Sequence, residues 1–164
     1  VDKISEAHIF RYNEDVSVNT LDPAYIKSQS EIWIGSQIFE GLVTLDSNLK
    51  VIPQLAQTWA IDTSGTVYKF SIRRGVYFHQ SNSNQKELNA FDAAASLIRI
   101  LNPFTASPGA WILNDKMTTP REFPGKTFNH REFTSDSSSP IYAADSFTLI
   151  IRLNQPSPSF LSLL

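Results

Sequence analysis

The feature that most restricts the fold is a segment in which apolar and polar residues alternate. Between Val67 and Arg73, three large apolar residues alternate with three polar ones: Tyr68, Phe70 and Ile72 with Lys69, Ser71 and Arg73. Successive side chains of a β-strand point to opposite faces, so this pattern predicts a strand buried on one face. The preceding run Asp62-Thr63-Ser64-Gly65 is typical of a tight turn, which favours a glycine with positive φ. We therefore expect a β-hairpin that turns at Gly65.

Further strands are predicted on both sides of this hairpin. Segments 42–45 and 51–52 flank the turn-forming residues Asp46-Ser47-Asn48, which indicates another hairpin. Residues 147–153 alternate in the same way and predict a later strand, and His8 to Tyr12 is typical of a short first strand. Together with two helices, these segments indicate an α+β fold with a mainly antiparallel or mixed sheet and packed helices.

The two helices are predicted from apolar spacing and from their ends. Ile26, Trp33, Ile34 and Ile38 follow a helical period, so we expect a helix over about Gln29 to Glu40, with Gly41 as its C-cap. Asn89 can cap a second helix that ends near Asn102-Pro103, and Asp92 favours its first turn. A third helix is expected at the C-terminal end, with Ser157 as N-cap and Pro158 at its first position.

Polar, proline-containing segments predict loops. Residues 80–85 contain only Ser, Asn and Gln and should form an exposed loop. Residues 118–140 are expected to form a long surface excursion that isolated phenylalanines hold in place. The chain ends on two leucines, which indicates that it is cut and that a surface packing against them lies downstream.

Composition excludes several classes of function. The chain has 164 residues, a formal net charge of −2 and a pI near 5.9, so it offers no broad attraction for nucleic acid. It has no apolar run long enough to span a bilayer and no cysteine, which excludes disulfides and thiolate metal sites. Since it begins at Val1 rather than Met, an exported protein that has lost its leader is one interpretation.

We find no motif for catalysis, for a cofactor or for a metal. The six glycines form neither a dinucleotide fingerprint nor a P-loop, and the three histidines are far apart and lack partner cysteines. Most aromatic residues fall at core-facing positions. Trp111 differs, because it follows Ser107-Pro108-Gly109 in a predicted turn where packing does not require a large ring. A ligand-facing role for Trp111 is the resulting hypothesis.

A series of short motifs runs in a fixed order along nearly the whole chain. The motifs are Thr20-Leu21-Asp22-Pro23-Ala24, Ile38-Phe39-Glu40-Gly41-Leu42, Pro53-Gln54-Leu55-Ala56 with Trp59, Tyr68-Lys69-Phe70-Ser71-Ile72-Arg73, Ala90-Phe91-Asp92 with Arg99, Ala106-Ser107-Pro108-Gly109-Ala110-Trp111, and Asp145-Ser146-Phe147-Thr148-Leu149. In order and spacing, this series resembles the bacterial extracellular solute-binding proteins of family 5, the peptide- and nickel-binding type.

The resemblance implies part of lobe one of a two-lobe binding protein. Residues 1–24 would be the first strand and entry segment of that lobe, and residues 25–164 its extra α/β subdomain. The remainder of the same protein, with its second lobe, would be a partner, and the receptor is expected to be a monomer. The implied location is the periplasm or the outer face of the cytoplasmic membrane, with or without a lipid anchor.

The resemblance also implies a non-enzymatic function. The receptor would capture an oligopeptide or a related small solute and deliver it to the permease subunits of an ABC importer. The implied ligand contacts are Lys27, Ser28 and Gln29, after the Leu-Asp-Pro motif, and Gly109, after Ser-Pro. Peptide, nickel complex, haem and opine all remain open as solutes. The alternatives are an enzyme or accessory domain on an α+β scaffold and a protein-interaction module that uses the 118–140 loop.

Overall fold

The computed structural model describes residues 11, 13, 17–79, 85–117 and 134–164. Three predicted segments lie mostly or wholly outside the described residues: the strand at His8 to Tyr12 except Arg11, the 80–85 loop except Gln85, and residues 118–133 of the excursion. The elements, in chain order, are α1 (Gln29–Ile38), β1 (Val43–Leu45), β2 (Val51–Pro53), β3 (Ala56–Ile61), β4 (Val67–Ile72), α2 (Ala90–Leu101), α3 (Ala110–Asn114), β5 (Ile141–Asp145), β6 (Thr148–Arg152) and a final 3₁₀ helix (Phe160–Leu163).

The strands form two antiparallel sheets. Strands β1 and β2 pair as a separate hairpin, and the other strands form a four-stranded sheet in the order β3-β4-β6-β5. Helix α2 packs against β5 and β6 and buries Ala94, Ile98 and Leu101. The predicted α+β fold with an antiparallel sheet is therefore confirmed.

The alternating segment forms strand β4, as predicted. Tyr68, Phe70 and Ile72 are buried, while the intervening side chains are exposed. In the turn that joins β3 to β4, the Asp62 carboxylate accepts hydrogen bonds from the backbone N–H groups of Thr66 (3.0 Å) and Val67 (2.9 Å). Gly65 has φ +72°, so the prediction for this glycine is confirmed.

The second helix is also confirmed, together with its cap. The Asn89 side chain accepts hydrogen bonds from the N–H groups of Phe91 (2.9 Å) and Asp92 (3.2 Å). The Asp92 carboxylate accepts one in return from the Asn89 N–H (3.1 Å). This reciprocal capping box satisfies donors that the helix itself cannot pair, and it fixes where α2 begins.

Three predictions near the C-terminal half are wrong. Residues 134–140 are not all at the surface, because Thr134 and Ser139 are buried and the next residues form β5, which was not predicted. Trp111, which was predicted to lie in a turn, is part of the short helix α3. Ser157 is not a helix N-cap, because the last helix begins at Phe160 after Ser159. The position of this last helix is set by the Phe160 side chain, which is fully buried.

Helix α1 is confirmed over Gln29 to Ile38, but Gly41 does not cap it. The helix ends at Ile38, its C-cap is the extended residue Phe39, and Gly41 has no positive φ. Gly41 instead lies where two backbone segments approach each other. A Cβ atom on this residue would lie 2.7 Å from the carbonyl oxygen of Leu164 and 3.0 Å from that of Val43. The glycine is therefore needed for space rather than for a left-handed conformation.

We expect Gly41→Ala to lower the free energy of unfolding by about 1–3 kcal/mol, because the added methyl group overlaps the backbone oxygens of Val43 and Leu164 and the backbone must shift to make room. Urea unfolding measures this difference. Gly109→Ala is the matched control: its Cβ would meet only the Ser107 Oγ, at 3.9 Å, and its φ of −91° suits alanine. Equal stability of the two variants would contradict this explanation of Gly41.

Candidate ligand-binding site

The loop before α1 is attached to α2 by an ion pair. Both guanidinium nitrogens of Arg99 donate to the carboxylate of Asp22, at 2.7 and 2.6 Å. The Tyr25 ring lies 5.7 Å from the same guanidinium. The Arg99 hydrogen bonds lower the pKa of Asp22, and the same contacts raise the pKa of Arg99. This pair fixes the Leu21-Asp22-Pro23 turn against the body of the protein.

The same loop is attached to α1 through a buried carboxylate. Glu31 is 1% exposed, and its side chain accepts hydrogen bonds from the backbone N–H groups of Asn19 (3.2 Å), Lys27 (3.1 Å) and Ser28 (3.1 Å). In return, the Glu31 N–H donates to the hydroxyl oxygen of Ser28 (3.3 Å), which completes a capping box. One side chain thus holds both ends of the 19–28 loop.

The three residues predicted to contact a ligand before α1 lie on this loop and at the helix start. Lys27 and Gln29 are exposed, and Ser28 is half-buried as the N-cap of α1. The N–H groups of Lys27 and Ser28 already donate to Glu31, so they are occupied. The Ser28 carbonyl oxygen accepts from the Ile32 N–H (3.0 Å), so a ligand that reaches this segment would meet mainly the exposed side chains of Lys27 and Gln29. The ligand contact itself stays a prediction.

The other two predicted residues lie at the start of α3. Gly109 immediately precedes that helix, and Trp111 in its first turn is 67% exposed. Gly109 lines an open groove of about 560 Å³, together with Ala24 and Ile26 from the loop before α1. Lys27, Ser28, Gln29 and Trp111 are not among the lining residues. The structure therefore brings only Gly109 into the groove.

The walls of this groove are mostly apolar. Ile32 and Phe39 form the side that belongs to α1 and the residue after it, and Leu97, Ile100 and Ile112 form the side made by α2 and α3. Among the described residues that line it, Glu40 is the only charged one. In the described part of the chain, the groove included, no three His, Cys, Asp or Glu side chains are grouped closely enough to hold a metal ion.

A comparison with known families decides the classification. The sequence profile of the bacterial extracellular solute-binding proteins, family 5, matches residues 50–164. The chain belongs to this family. The matched residues include strands β2 to β6 and the helices α2 and α3, which form one wall of the groove.

Several periplasmic binding proteins match over most of this chain. The probable deoxycholate-binding periplasmic protein YgiS of Escherichia coli is 31% identical over 161 residues, which are 98% of this chain and 28% of YgiS. The solved structure of a periplasmic oligopeptide-binding protein, OppAIV of Borrelia burgdorferi, is 30% identical with a TM-score of 0.69. The match covers 87% of this chain and 27% of that protein. The Escherichia coli murein tripeptide-binding protein MppA is 27% identical with a TM-score of 0.66, over 88% of this chain and 26% of MppA.

The chain therefore spans a little over a quarter of the length of these relatives. Its fold is that of a part of a two-lobe periplasmic binding protein, as the resemblance implied. None of the helices in the described ranges is long and apolar enough to cross a membrane.

The sequence reasoning missed both attachments of the 19–28 loop. For Glu31 a signal was present, because Ser28-Gln29-Ser30-Glu31 fits the S-x-x-E pattern of a capping box. For Asp22 and Arg99 no local signal exists, since the two residues are 77 positions apart. A pairing of this kind follows only from the packing of α2 against the loop.

The hydrogen bonds to Glu31 predict a pH-dependent stability. Donation from the Lys27 and Ser28 amides lowers the pKa of Glu31 from 4.5 to about 2. A carboxyl group with a lowered pKa contributes stability that is complete above its unfolded pKa and is lost as the pH falls through its folded pKa. We therefore expect Glu31→Gln to be less stable than the native chain at neutral pH, and the difference to shrink between pH 4.5 and about 2.

Urea unfolding of both proteins near neutral pH and at pH ~3 measures this difference. Asp62 also has its pKa lowered to about 2, by hydrogen bonds from Ser64 and the Val67 amide. It titrates in both proteins, so comparing the variant with the native chain removes its contribution. A difference that stays constant with pH would show that the Glu31 carboxylate does not hold the loop.

Proposed function

We propose that this chain is part of a substrate-binding receptor that captures an oligopeptide or a related small solute for an ABC importer. The observation that carries the proposal is the match of family 5 to residues 50–164, supported by similarity to periplasmic binding proteins over almost the whole chain. The receptor would act outside the cytoplasmic membrane, in the periplasm or on its outer face, and would pass the solute to permease subunits. The receptor catalyses no reaction in this proposal.

Within this receptor, we assign Lys27, Ser28, Gln29, Gly109 and Trp111 to one wall of the ligand cleft. The anchored loop supports this assignment, because Glu31 and the Asp22–Arg99 pair hold an exposed segment in one conformation before a ligand arrives. Such preorganisation reduces the entropy that a ligand must offset when it binds. The opposite wall of the cleft would come from parts of the receptor beyond these residues.

The solute can be identified by native mass spectrometry of the full-length receptor after mild purification, followed by calorimetry with a panel of solutes. The panel should contain di-, tri- and oligopeptides, a nickel–histidine complex, haem, an opine and deoxycholate, the last because of the name of the relative YgiS. Binding of any one of these at micromolar concentration supports a receptor. Turnover of a solute without retention would favour an enzyme and overturn the proposal.

The assignment of Trp111 makes a separate prediction. We expect Trp111→Ala to weaken binding of the identified solute about tenfold, because an exposed ring that packs on a ligand contributes roughly 1–1.5 kcal/mol. Calorimetry measures this change. Tyr77→Ala is the control, since Tyr77 is also exposed (51%) but lies beside Glu87, away from the assigned residues. If both variants bind as tightly as the native receptor, Trp111 does not face the ligand.

A further inference from the structure

The five residues assigned to one wall of the ligand cleft lie on two separate parts of the structure. Lys27, Ser28 and Gln29 belong to the loop before α1 and to the start of that helix, whereas Gly109 and Trp111 lie at the start of α3. The apolar groove lies between these parts, with α1 on one side and α2 and α3 on the other. One solute can contact both parts only if their separation is fixed.

The part that contains α3 is supported by the main sheet. Helix α3 packs against α2, and α2 packs against strands β5 and β6. Helix α2 also buries Ala94, Ile98 and Leu101 in the core. The start of α3 is therefore held in a fixed position relative to α2, and α2 is the element against which the other part must be aligned.

The part that contains α1 is attached to α2 by few contacts. Among the described elements, α1 packs extensively against no other helix or strand. Ala24 in the preceding loop is buried and supplies an apolar contact. In the described part of the chain, the hydrogen bonds that join residues 17–38 to the elements from β1 onward are the two between Asp22 and Arg99. Since Arg99 lies on α2, this pair links the two parts of the wall.

We propose that Asp22 and Arg99 are positioning residues, whose ion pair sets the separation of the two parts of the wall and thereby the affinity for the solute. The inference rests on the proposed function, because it requires a receptor that binds a solute at this wall. The two parallel hydrogen bonds, at 2.7 and 2.6 Å, fix direction as well as distance. The side chains of Arg99 and Asp22 are 41% and 35% exposed, so salt can screen the pair.

Removing the pair should weaken solute binding through the association rate. In the full-length receptor, we expect Arg99→Gln to bind about tenfold more weakly the member of the solute panel that the native receptor binds most tightly, because the loop then occupies its binding position for about a tenth of the time. The association rate should fall by the same factor, while the dissociation rate stays unchanged because the bound contacts are the same. Arg99→Lys keeps the charge but not both parallel bonds, so its loss should be intermediate. Calorimetry and stopped-flow fluorescence measure these changes.

Two further variants separate positioning from general stability. Lys86→Gln removes a second ion pair, with Asp92, and leaves the loop untouched, so it should bind as tightly as the native receptor. Asp22→Asn keeps the side-chain oxygen that accepts from the Ala24 N–H (3.1 Å). Combined with Arg99→Gln, it should cost no more affinity than Arg99→Gln alone. If Arg99→Gln lowers the melting temperature but binds the solute normally while folded, the pair is only structural and the proposal is overturned.

The separation of the two parts can also be measured without a solute. This chain contains no cysteine, so spin labels on Gln37→Cys in α1 and Asn114→Cys in α3, both exposed, report this distance once any cysteine elsewhere in the receptor is replaced by serine. Pulsed electron paramagnetic resonance should give a narrow distance distribution that broadens at ~1 M salt, where the Debye length is about 3 Å. With Arg99→Gln, the distribution should be broad at low and high salt. An equally narrow distribution with and without Arg99 would overturn the proposal.

The distance measurement and the proposed function can fail separately. A receptor that binds a member of the solute panel, but whose distance distribution responds neither to salt nor to Arg99→Gln, retains the function and loses this inference. A receptor whose distribution broadens as expected but that binds no member of the panel retains the link between the two parts and loses the function.

Discussion

Replacing Phe160 with alanine should lower the free energy of unfolding by about 3–5 kcal/mol. The Phe160 ring is completely buried and packs edge-on against Tyr68, with ring centroids 4.9 Å apart. Tyr68 in turn donates from its hydroxyl group to the carbonyl oxygen of Ser157 (3.2 Å). Removing the Phe160 ring leaves a cavity beneath the last helix and weakens the attachment of that segment to strand β4.

Urea or thermal unfolding measures this loss. Leu163→Ala is the matched control, because it removes an apolar side chain from the same short helix, where Leu163 is 43% exposed. The control should cost less than about 1 kcal/mol, as expected for a partly exposed leucine. A loss for Phe160→Ala no greater than for Leu163→Ala would show that the C-terminal segment is not anchored by that ring.

The isolated 164-residue chain should bind the physiological solute at least ~1000-fold more weakly than the full-length receptor. In a two-lobe receptor the ligand is buried between two surfaces, and closure excludes water from both. In the receptor that we propose, this chain would supply residues for one wall. If the receptor bound at ~1 μM, about −8 kcal/mol, loss of half of that free energy would leave a dissociation constant near ~1 mM.

Calorimetry of both proteins against the same solute measures the difference. Its control is a thermal melt of the isolated chain, since a weak affinity is informative only if the chain is folded. Micromolar binding by the isolated chain would contradict the two-wall explanation. It would instead place a self-contained site within these residues, and the groove beside Gly109 would be the first place to search.

Local patterns in the sequence predicted the elements whose causes are themselves local. The alternation around Phe70, the turn at Gly65 and the Asn89 cap each involve residues within a few positions of one another, and all are confirmed. The failures depend on contacts between distant residues. Gly41 was interpreted as a cap because a glycine follows an apolar run, but its reason is the approach of Leu164, far away in sequence.

The prediction that all of residues 134–140 lie at the surface failed at Thr134 and Ser139, which are buried. Ser137 and Ser138 are exposed, as the polar run indicated. The Arg152 guanidinium donates to the carbonyl oxygen of Ser137 (2.7 Å) and to the Tyr142 hydroxyl (3.0 Å), so a residue of β6 holds this segment beside the sheet. That contact joins residues 15 positions apart, so local polarity could not predict it.

The residues proposed for the candidate site came from the sequence, but their arrangement could not be predicted from it. Lys27, Ser28, Gln29, Gly109 and Trp111 came from one resemblance and one unexplained tryptophan. The S-x-x-E pattern could have shown that Glu31 accepts from the Ser28 N–H, but not that it also accepts from Lys27, because the loop must first fold back on α1. Nor could the sequence show that Gly109 alone reaches the groove, because that depends on how α3 sits beside α2.

The strand order β3-β4-β6-β5 has a consequence for synthesis on the ribosome. The β3–β4 hairpin can form as soon as both strands have emerged from the ribosome. The other edge of β4 pairs with β6, with Val67 opposite Arg152, so that edge must wait until residue 152 has been made. At ~5–20 residues per second, that edge remains unpaired for several seconds while the intervening chain is made. Unpaired edges with apolar side chains are templates for association with other chains. A nascent chain paused between β4 and β6 should therefore be the form most dependent on chaperones.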